Sequence, residues 1–292
     1  MNQVKTVSLL SLLAGLLVGI GYMIGGSGGA LIGLVIAAVT NFFSWYSSDK
    51  IALAAYQAQP IAPEQAPELY QMVKTLSDRA QLPMPKLYLV PTPALNAFAT
   101  GRDPDHAAVA VTQGIVQTLS KDELEGVLAH ELTHIQNRDT LTQAVAATVG
   151  GAISYIAQVM QFSLMFGGGR NREGGNPLGA LAAIVLAPMA ASVIQMAISR
   201  TREFEADAGA ARLTGKPRAL ASALQRLEAM ATQRPMAVNP SFSPLMIVNA
   251  LPRQVMGGLF RTHPTTEQRI KNLLKVEQEL LALNAQPKVA GI

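Results

Sequence analysis

The sequence predicts a mainly α membrane protein: four transmembrane helices in two hairpins, with an α+β polar domain split between them. Composition is the first ground. Of 292 residues 49 % are apolar and 14 % charged, against about 25 % charged in an ordinary soluble protein. The second ground is where charge is missing. Residues 6–48, 140–169 and 174–199 contain no Asp, Glu, Lys or Arg, and about 20 apolar residues suffice for a spanning helix. The third is the character of the rest. Stretches 49–139 and 200–292 mix helical patterns with short β-like runs. High hydrophobicity with low charge excludes a disordered chain. The net charge of +4 is too mild for a nucleic-acid binder.

The first hairpin occupies 1–48. Residues 6–24 and 30–46 form its limbs, and Gly25-Gly26-Ser27-Gly28-Gly29 breaks the helix between them. Trp45 and Tyr46 suit a membrane boundary. Lys5 before an apolar stretch also fits a cleaved signal peptide. Against that stand the length of the stretch, the lack of a small-x-small cleavage site and the second span that follows. In 49–139, residues 67–80 read as a helix and 86–90, 95–100 and 107–112 as β-like runs. Ser120-Lys121-Asp122-Glu123 is a capping box that opens a further helix.

The second hairpin occupies 140–199. Its limbs are 140–169 and 174–199, its breaker the Gly-rich loop 167–177, and Pro188 is placed to kink the last span. The alternative is a buried soluble hairpin, since these limbs are rich in Ala, Gly, Gln and Ser. Their length favours spanning. The stretch 200–292 is mostly helical, with Lys216-Pro217 and His263-Pro264 marking helix starts. Residues 235–252 are uncharged but hold four prolines, at 235, 240, 244 and 252. They cannot form one helix, and read as an apolar segment lying against the membrane or an active cleft.

With no cysteine in the chain, any metal must be held by His and carboxylates. The helix after Ser120 contains His130-Glu131-Leu132-Thr133-His134. Two histidines four apart leave the same face of a helix and can share one zinc, while Glu131 can take a proton from a water activated there. The alternative is a pair of surface histidines on a charged helix. A catalytic zinc needs a third protein ligand. The metzincin spacing fails, because Asn137 and Thr140 stand where it requires Gly and His. Further on, Glu203 and Asp207 are four apart. Glu203 can bind the metal and Asp207 can hold the second nitrogen of His130. Glu205 lies about 200° round the helix from Glu203 and is the poorer ligand. An ordinary Arg/Glu surface pair is the alternative for Glu203.

These residues resemble those of a known family. The run from His130 to Asp139, the run from Ser199 to Asp207, Asn96-Ala97-Phe98-Ala99-Thr100-Gly101 and Thr262-His263-Pro264 look like the HtpX family of bacterial membrane zinc metalloproteases. Eukaryotic relatives of that family are the CAAX-prenyl proteases. The resemblance spans nearly the whole chain, leaving only the loop 167–177 and the tail after Asn284 unmatched. It implies a zincin-like metalloprotease domain, one zinc per chain held by His130, His134 and Glu203, and catalysis by Glu131. It also implies a multi-pass protein of the bacterial inner membrane whose site faces the cytoplasm. Its substrates would be damaged membrane proteins or unfolded polypeptides, in protein quality control and stress response. On this reading 49–139 and 200–292 are the two halves of one catalytic domain.

Geometry adds orientation. If Glu203 meets the ion held by His130, both ends of the second hairpin emerge on one side of the bilayer. Lys5, Lys50, Arg138, Arg200 and Arg202 fall on that side and Arg170 and Arg172 on the other, so the metal side is cytoplasmic. The metal helix carries Lys121, Asp122, Glu123, Glu125, Arg138 and Asp139, too many charges to lie in hydrocarbon. For the oxyanion formed in hydrolysis the candidate partner is His263, with Arg269 a weaker one; a plain helix-entry role for His263 is equally open. Asn96, Ala97, Phe98 and Ala99 can form an edge strand that pairs with an extended substrate, or an ordinary core strand. His106 receives no role. The competing functions are a non-catalytic adaptor clamped by zinc, a small transporter and a prenyl-peptide protease. Three ligands with a glutamate placed to activate water, spans offering only scattered Ser, Thr, Gln and Asn, and the shortness of four spans argue against each in turn.

Overall fold

The computed structural model describes residues 2–150, 152–153, 200–231, 233, 245–247 and 264–285. Helix α1 (Asn2–Tyr46) is two limbs broken at Gly25 and Gly26. Gly26 takes φ 59° and ψ −142°, a conformation open essentially to glycine alone. The limbs then run back along each other, and Asn41 Nδ2 donates to Leu10 O at 3.0 Å. Segments Val4–Tyr22 and Gly25–Tyr46 are long and apolar enough to cross a membrane. Leu31, Ile32, Val35, Val39 and Phe42 are each more than half exposed, an apolar surface that asks for lipid. These two are the candidate spans among the described residues. Of the predicted second hairpin, residues 140–150 are helical (α6) and 154–199 lie outside the described residues. Leu9 and Leu13 of α1 pack with Val145, Ala146 and Val149 of α6, and Thr6 Oγ1 meets Thr142 Oγ1 at 3.1 Å.

Past a short helix α2 (Ser48–Ala55), the chain builds a four-stranded sheet in the order β1-β2-β4-β3. Its strands are β1 (Gln59–Pro60), β2 (Lys86–Val90), β3 (Ala97–Thr100) and β4 (Ala108–Thr112), with α3 (Pro67–Ala80) between β1 and β2. Strands β2 and β4 are parallel; β1 and β3 pair antiparallel at the two edges. The runs 86–90, 95–100 and 107–112 thus match strands to within two residues, while β1 and α2 carry no sequence signal strong enough to read. After α4 (Gln113–Thr118) comes α5 (Lys121–Gln136), with the capping box formed. Then follow α7 (Arg200–Thr214), α8 (Pro217–Ala231) and α9 (Thr266–Ala285). Helix α5 is the centre of this arrangement, packed against α3, β3, α7 and α8. Leu124, Val127, Leu128 and Leu132 join Leu220, Leu224 and Leu273 in the main core. Gly209 lets α7 approach α5 closely, since a Cβ there would collide with Thr133. That close approach brings Glu203 to the metal helix.

Candidate metal centre

His130, Glu131 and His134 lie in the C-terminal half of α5, and Glu203 in the first turn of α7. All four are buried, none more than 5 % exposed. The two Nε2 atoms approach to 3.2 Å. Glu203 Oε2 lies 3.7 Å from His130 Nε2, and Oε1 3.5 Å from His134 Nε2. One donor atom from each of these three residues falls within 4.8 Å of the others.

The opposite nitrogens are also committed. His130 Nδ1 meets Asp207 Oδ1 at 3.0 Å, and His134 Nδ1 meets Asp139 Oδ2 at 3.0 Å. A carboxylate at Nδ1 holds the proton there and turns the lone pair outward at Nε2. Two such lone pairs and a carboxylate, crowded together away from water, repel unless a cation sits among them. The donor set therefore fits a metal ion. Burial opposes charge on His134, but the bond to Asp139 and the charges of Glu203 and Glu131 outweigh it and push the imidazole up to about 9. His130 moves the other way, lowered by burial and by the charge of Arg269.

Glu131 faces the same space. Its Oε2 accepts the Ala99 N–H at 2.8 Å, tying the metal helix to β3. Burial, helped by Glu203, pushes its carboxyl up to about 7 against the pull of His134, Ala99 and Arg269. A carboxylate poised near neutrality is suited to accept and return a proton. The space itself is small, about 10 Å³, bounded by Ala97, Phe98, His130, Glu131, His134, Gln143, Glu203 and residues 245–247. That is room for about one water.

Arg269 packs beside the cluster, its Nη2 3.3 Å from His130 Nε2 and its Nη1 3.7 Å from Glu203 Oε2. It is 1 % exposed and clasps Asp207 with two bonds, Nε to Oδ2 at 2.8 Å and Nη2 to Oδ1 at 2.6 Å. The pairing holds the Asp207 carboxyl below the usual range despite burial, so Asp207 stays an anion behind His130. Glu205 lines a separate groove of about 750 Å³ with Arg79 and Arg212. His106 sits on the surface beside Asp103. Strand β3 is an edge strand, though fully buried, and Asn96 just before it binds residues 245–247. His263 lies outside the described residues. Asp139 and Arg202, whose Nη1 reaches Asp139 Oδ1 at 3.4 Å, were not singled out by the sequence reading. The available signal was an acid five residues beyond the second histidine.

Three residues able to hold a metal, with a buried glutamate beside them on one helix next to an edge strand, are the arrangement a metalloendopeptidase requires. Comparisons agree. The peptidase family M48 model matches residues 63–277. An HtpX protease homologue of Nostoc punctiforme is 64 % identical over 282 residues, covering 96 % of this chain and 98 % of that one. One from Sulfurihydrogenibium is 50 % identical, covering 98 % of both chains, and one from Pyrococcus furiosus is 49 % identical, covering 95 % of this chain and 96 % of that one. The crystal structure of S. mikatae Ste24p shares the fold with a TM-score of 0.52 at 20 % identity; the match covers 93 % of this chain and 65 % of that one. The chain belongs to peptidase family M48.

Proposed function

We propose that this protein is a zinc-dependent endopeptidase of a bacterial inner membrane, held by four spans in two hairpins. It hydrolyses peptide bonds of damaged membrane proteins and unfolded polypeptides at the cytoplasmic face. The observation that carries the reading is the meeting of His130, His134 and Glu203 around one point, with Glu131 beside them and β3 along the cleft. Two imidazoles and a carboxylate suit zinc best among the common divalent ions. When bound, zinc supplies Lewis acidity that polarises the scissile carbonyl and acidifies water.

The chain's own residues do the rest. Asp207 and Asp139 orient the ligand imidazoles, and Arg269 keeps Asp207 ionised. Glu131 takes the proton of the attacking water and returns it to the leaving amine. His263 is the proposed second partner of the oxyanion, and Asn96 with Ala97, Phe98 and Ala99 the strand that pairs with an extended substrate. The charges on the metal helix and the basic residues around it support a watery site on the cytoplasmic side. The test is metal analysis with a casein-type proteolysis assay on detergent-purified protein. Glu131→Gln should keep its zinc and lose about 10²–10⁴-fold in hydrolysis. Undiminished cleavage by a zinc-loaded Glu131→Gln protein sinks the proposal.

A further inference from the structure

Gln143 is a polar side chain at the metal centre that neither the ligand set nor the proton transfer uses. It is 7 % exposed and borders the space shared by His130, Glu131, His134 and Glu203. It lies in the first turn of α6, and its backbone N–H donates to Asp139 O at 3.1 Å. Thr140 Oγ1 donates to Gly101 O at 2.9 Å, fixing the start of α6 to the end of β3. Both ties keep this turn of α6 against the metal helix and the strand beside it.

Its amide does not serve the fold. Among the described residues the Gln143 side chain meets no hydrogen-bond partner, whereas Thr140 and Thr142 beside it are bonded to Gly101 O and Thr6 Oγ1. Burying an amide without a partner is costly, and each such group in a folded chain calls for an explanation. Its neighbours supply one. Of the other described residues around the space, three are ligands, Glu131 handles the proton, and Ala97, Phe98 and residues 245–247 offer apolar side chains. Gln143 brings them a neutral N–H donor, at a space of about 10 Å³. Peptide hydrolysis needs a donor of that kind. The water oxygen bonds the carbonyl carbon and gives one proton to Glu131, while the C=O electron pair moves onto the carbonyl oxygen. That pair then returns, the C–N bond breaks, and Glu131 passes the proton to the amine nitrogen, leaving a carboxylic acid and an amine. The oxygen is an anion only between these two events, so a donor fixed there raises rate without tightening substrate.

We propose that Gln143 is a further catalytic residue, its Nε2–H donating to the scissile carbonyl oxygen as that oxygen becomes an anion. This role rests on the endopeptidase reading above and adds a residue to its machinery. The donor comes from α6, which packs through Val145 and Val149 on Leu9 and Leu13 of α1. Its position is therefore set by helix packing outside the sheet and the metal helix.

The test uses the full, zinc-loaded chain in detergent and a fluorogenic peptide. Gln143→Met keeps the length of the side chain and removes the donor. It should retain its zinc and lose about 10–100-fold in kcat, the worth of one hydrogen bond to a charged group, with KM nearly unchanged. Gln143→Glu keeps the shape but sets a carboxylate against the anionic oxygen, so it should be slower still. It carries the comparison if the methionine variant does not fold. A second measurement is independent of turnover. A phosphinic peptide, whose tetrahedral phosphinate stands for the anionic oxygen, should bind Gln143→Met more weakly by the same factor in calorimetry. Unchanged kcat, a loss carried by KM or undiminished phosphinate affinity overturns the proposal. So does a variant that loses zinc together with activity, for Gln143 would then be holding the ligands. A zinc-loaded wild type that cleaves no peptide ends the endopeptidase reading instead, and the phosphinate titration still decides whether Gln143 meets the tetrahedral group.

Discussion

The two ends of helix α5 are built on opposite principles. At the N-terminal end Ser120 N–H donates to Glu123 Oε2 at 2.9 Å, and Ser120 Oγ accepts Glu123 N–H at 3.4 Å. Lys216 Nζ lies 2.7 Å from Asp122 and 2.8 Å from Glu125 near the surface. Acids sit where the helix dipole favours them, and each polar group has water or a partner close by. The C-terminal end buries His130, Glu131 and His134 against Glu203, Asp207, Asp139 and Arg269. Nothing in helix propensity or capping calls for that concentration of charge. A local end that satisfies every rule and a distal end that breaks them, on one rigid rod, separate what folds the helix from what it is folded for.

The largest effect should come from unbalancing the buried end. Arg269→Ala leaves the Asp207 carboxylate at 0 % exposure without its two strongest bonds, and removing one partner of a buried pair costs about 3–5 kcal/mol. The thermal midpoint should fall sharply. A double change, Arg269→Met with Asp207→Asn, removes both charges together and should melt above the single variant. If the single and double variants melt alike, the pair is not the source of the loss. Next come the carboxylates behind the imidazoles. Asp207→Asn and Asp139→Asn should each weaken zinc about 10–100-fold in a chelator competition, as loss of such partners generally does. Full retention of zinc affinity in both would mean that the imidazoles are oriented by other groups.

Legibility in the sequence follows the same division. His130, Glu131 and His134, then Glu203 and Asp207, are readable because each set shares a single helix, where spacing fixes the face. The capping box and the β2, β3 and β4 runs are readable for the same local reason. Asp139 is not. It returns beneath His134 only because the helix stops at Asn137 and Arg138 takes a left-handed φ of 57°, a turn with no period to detect. The spacing of Arg269 from His263 along the chain says nothing about depth, and the fold buries it against His130, Glu203 and Asp207. Residues 245–247 carry no periodicity, so the sequence leaves membrane and cleft equally open, and the fold settles their place through two bonds to Asn96. β1, two residues long, exists only through its pairing with β2.

The smallest effects belong to the N-terminal end, and they sharpen the contrast because they should leave the metal untouched. Ser120→Ala should cost about 1 kcal/mol, the usual worth of a cap, with zinc affinity unchanged. Glu123 adds a pH signature. Burial pushes its carboxyl up, but hydrogen bonds from Ser222 and Ser120 and the charge of Arg226 outweigh it and hold it below the ordinary glutamate value. The unfolded chain, with a glutamate near about 4.3, therefore binds this proton more readily than the folded one. The stabilisation is complete above that value and is lost as pH falls through the lower, folded one. Glu123→Gln cannot titrate, so its melting curve should be flatter than that of wild type between about pH 5 and pH 3, the two converging in acid. Parallel curves would mean that the cap holds Glu123 no better in the folded chain than water does in the unfolded one, and the contrast between the two ends would lose its electrostatic half.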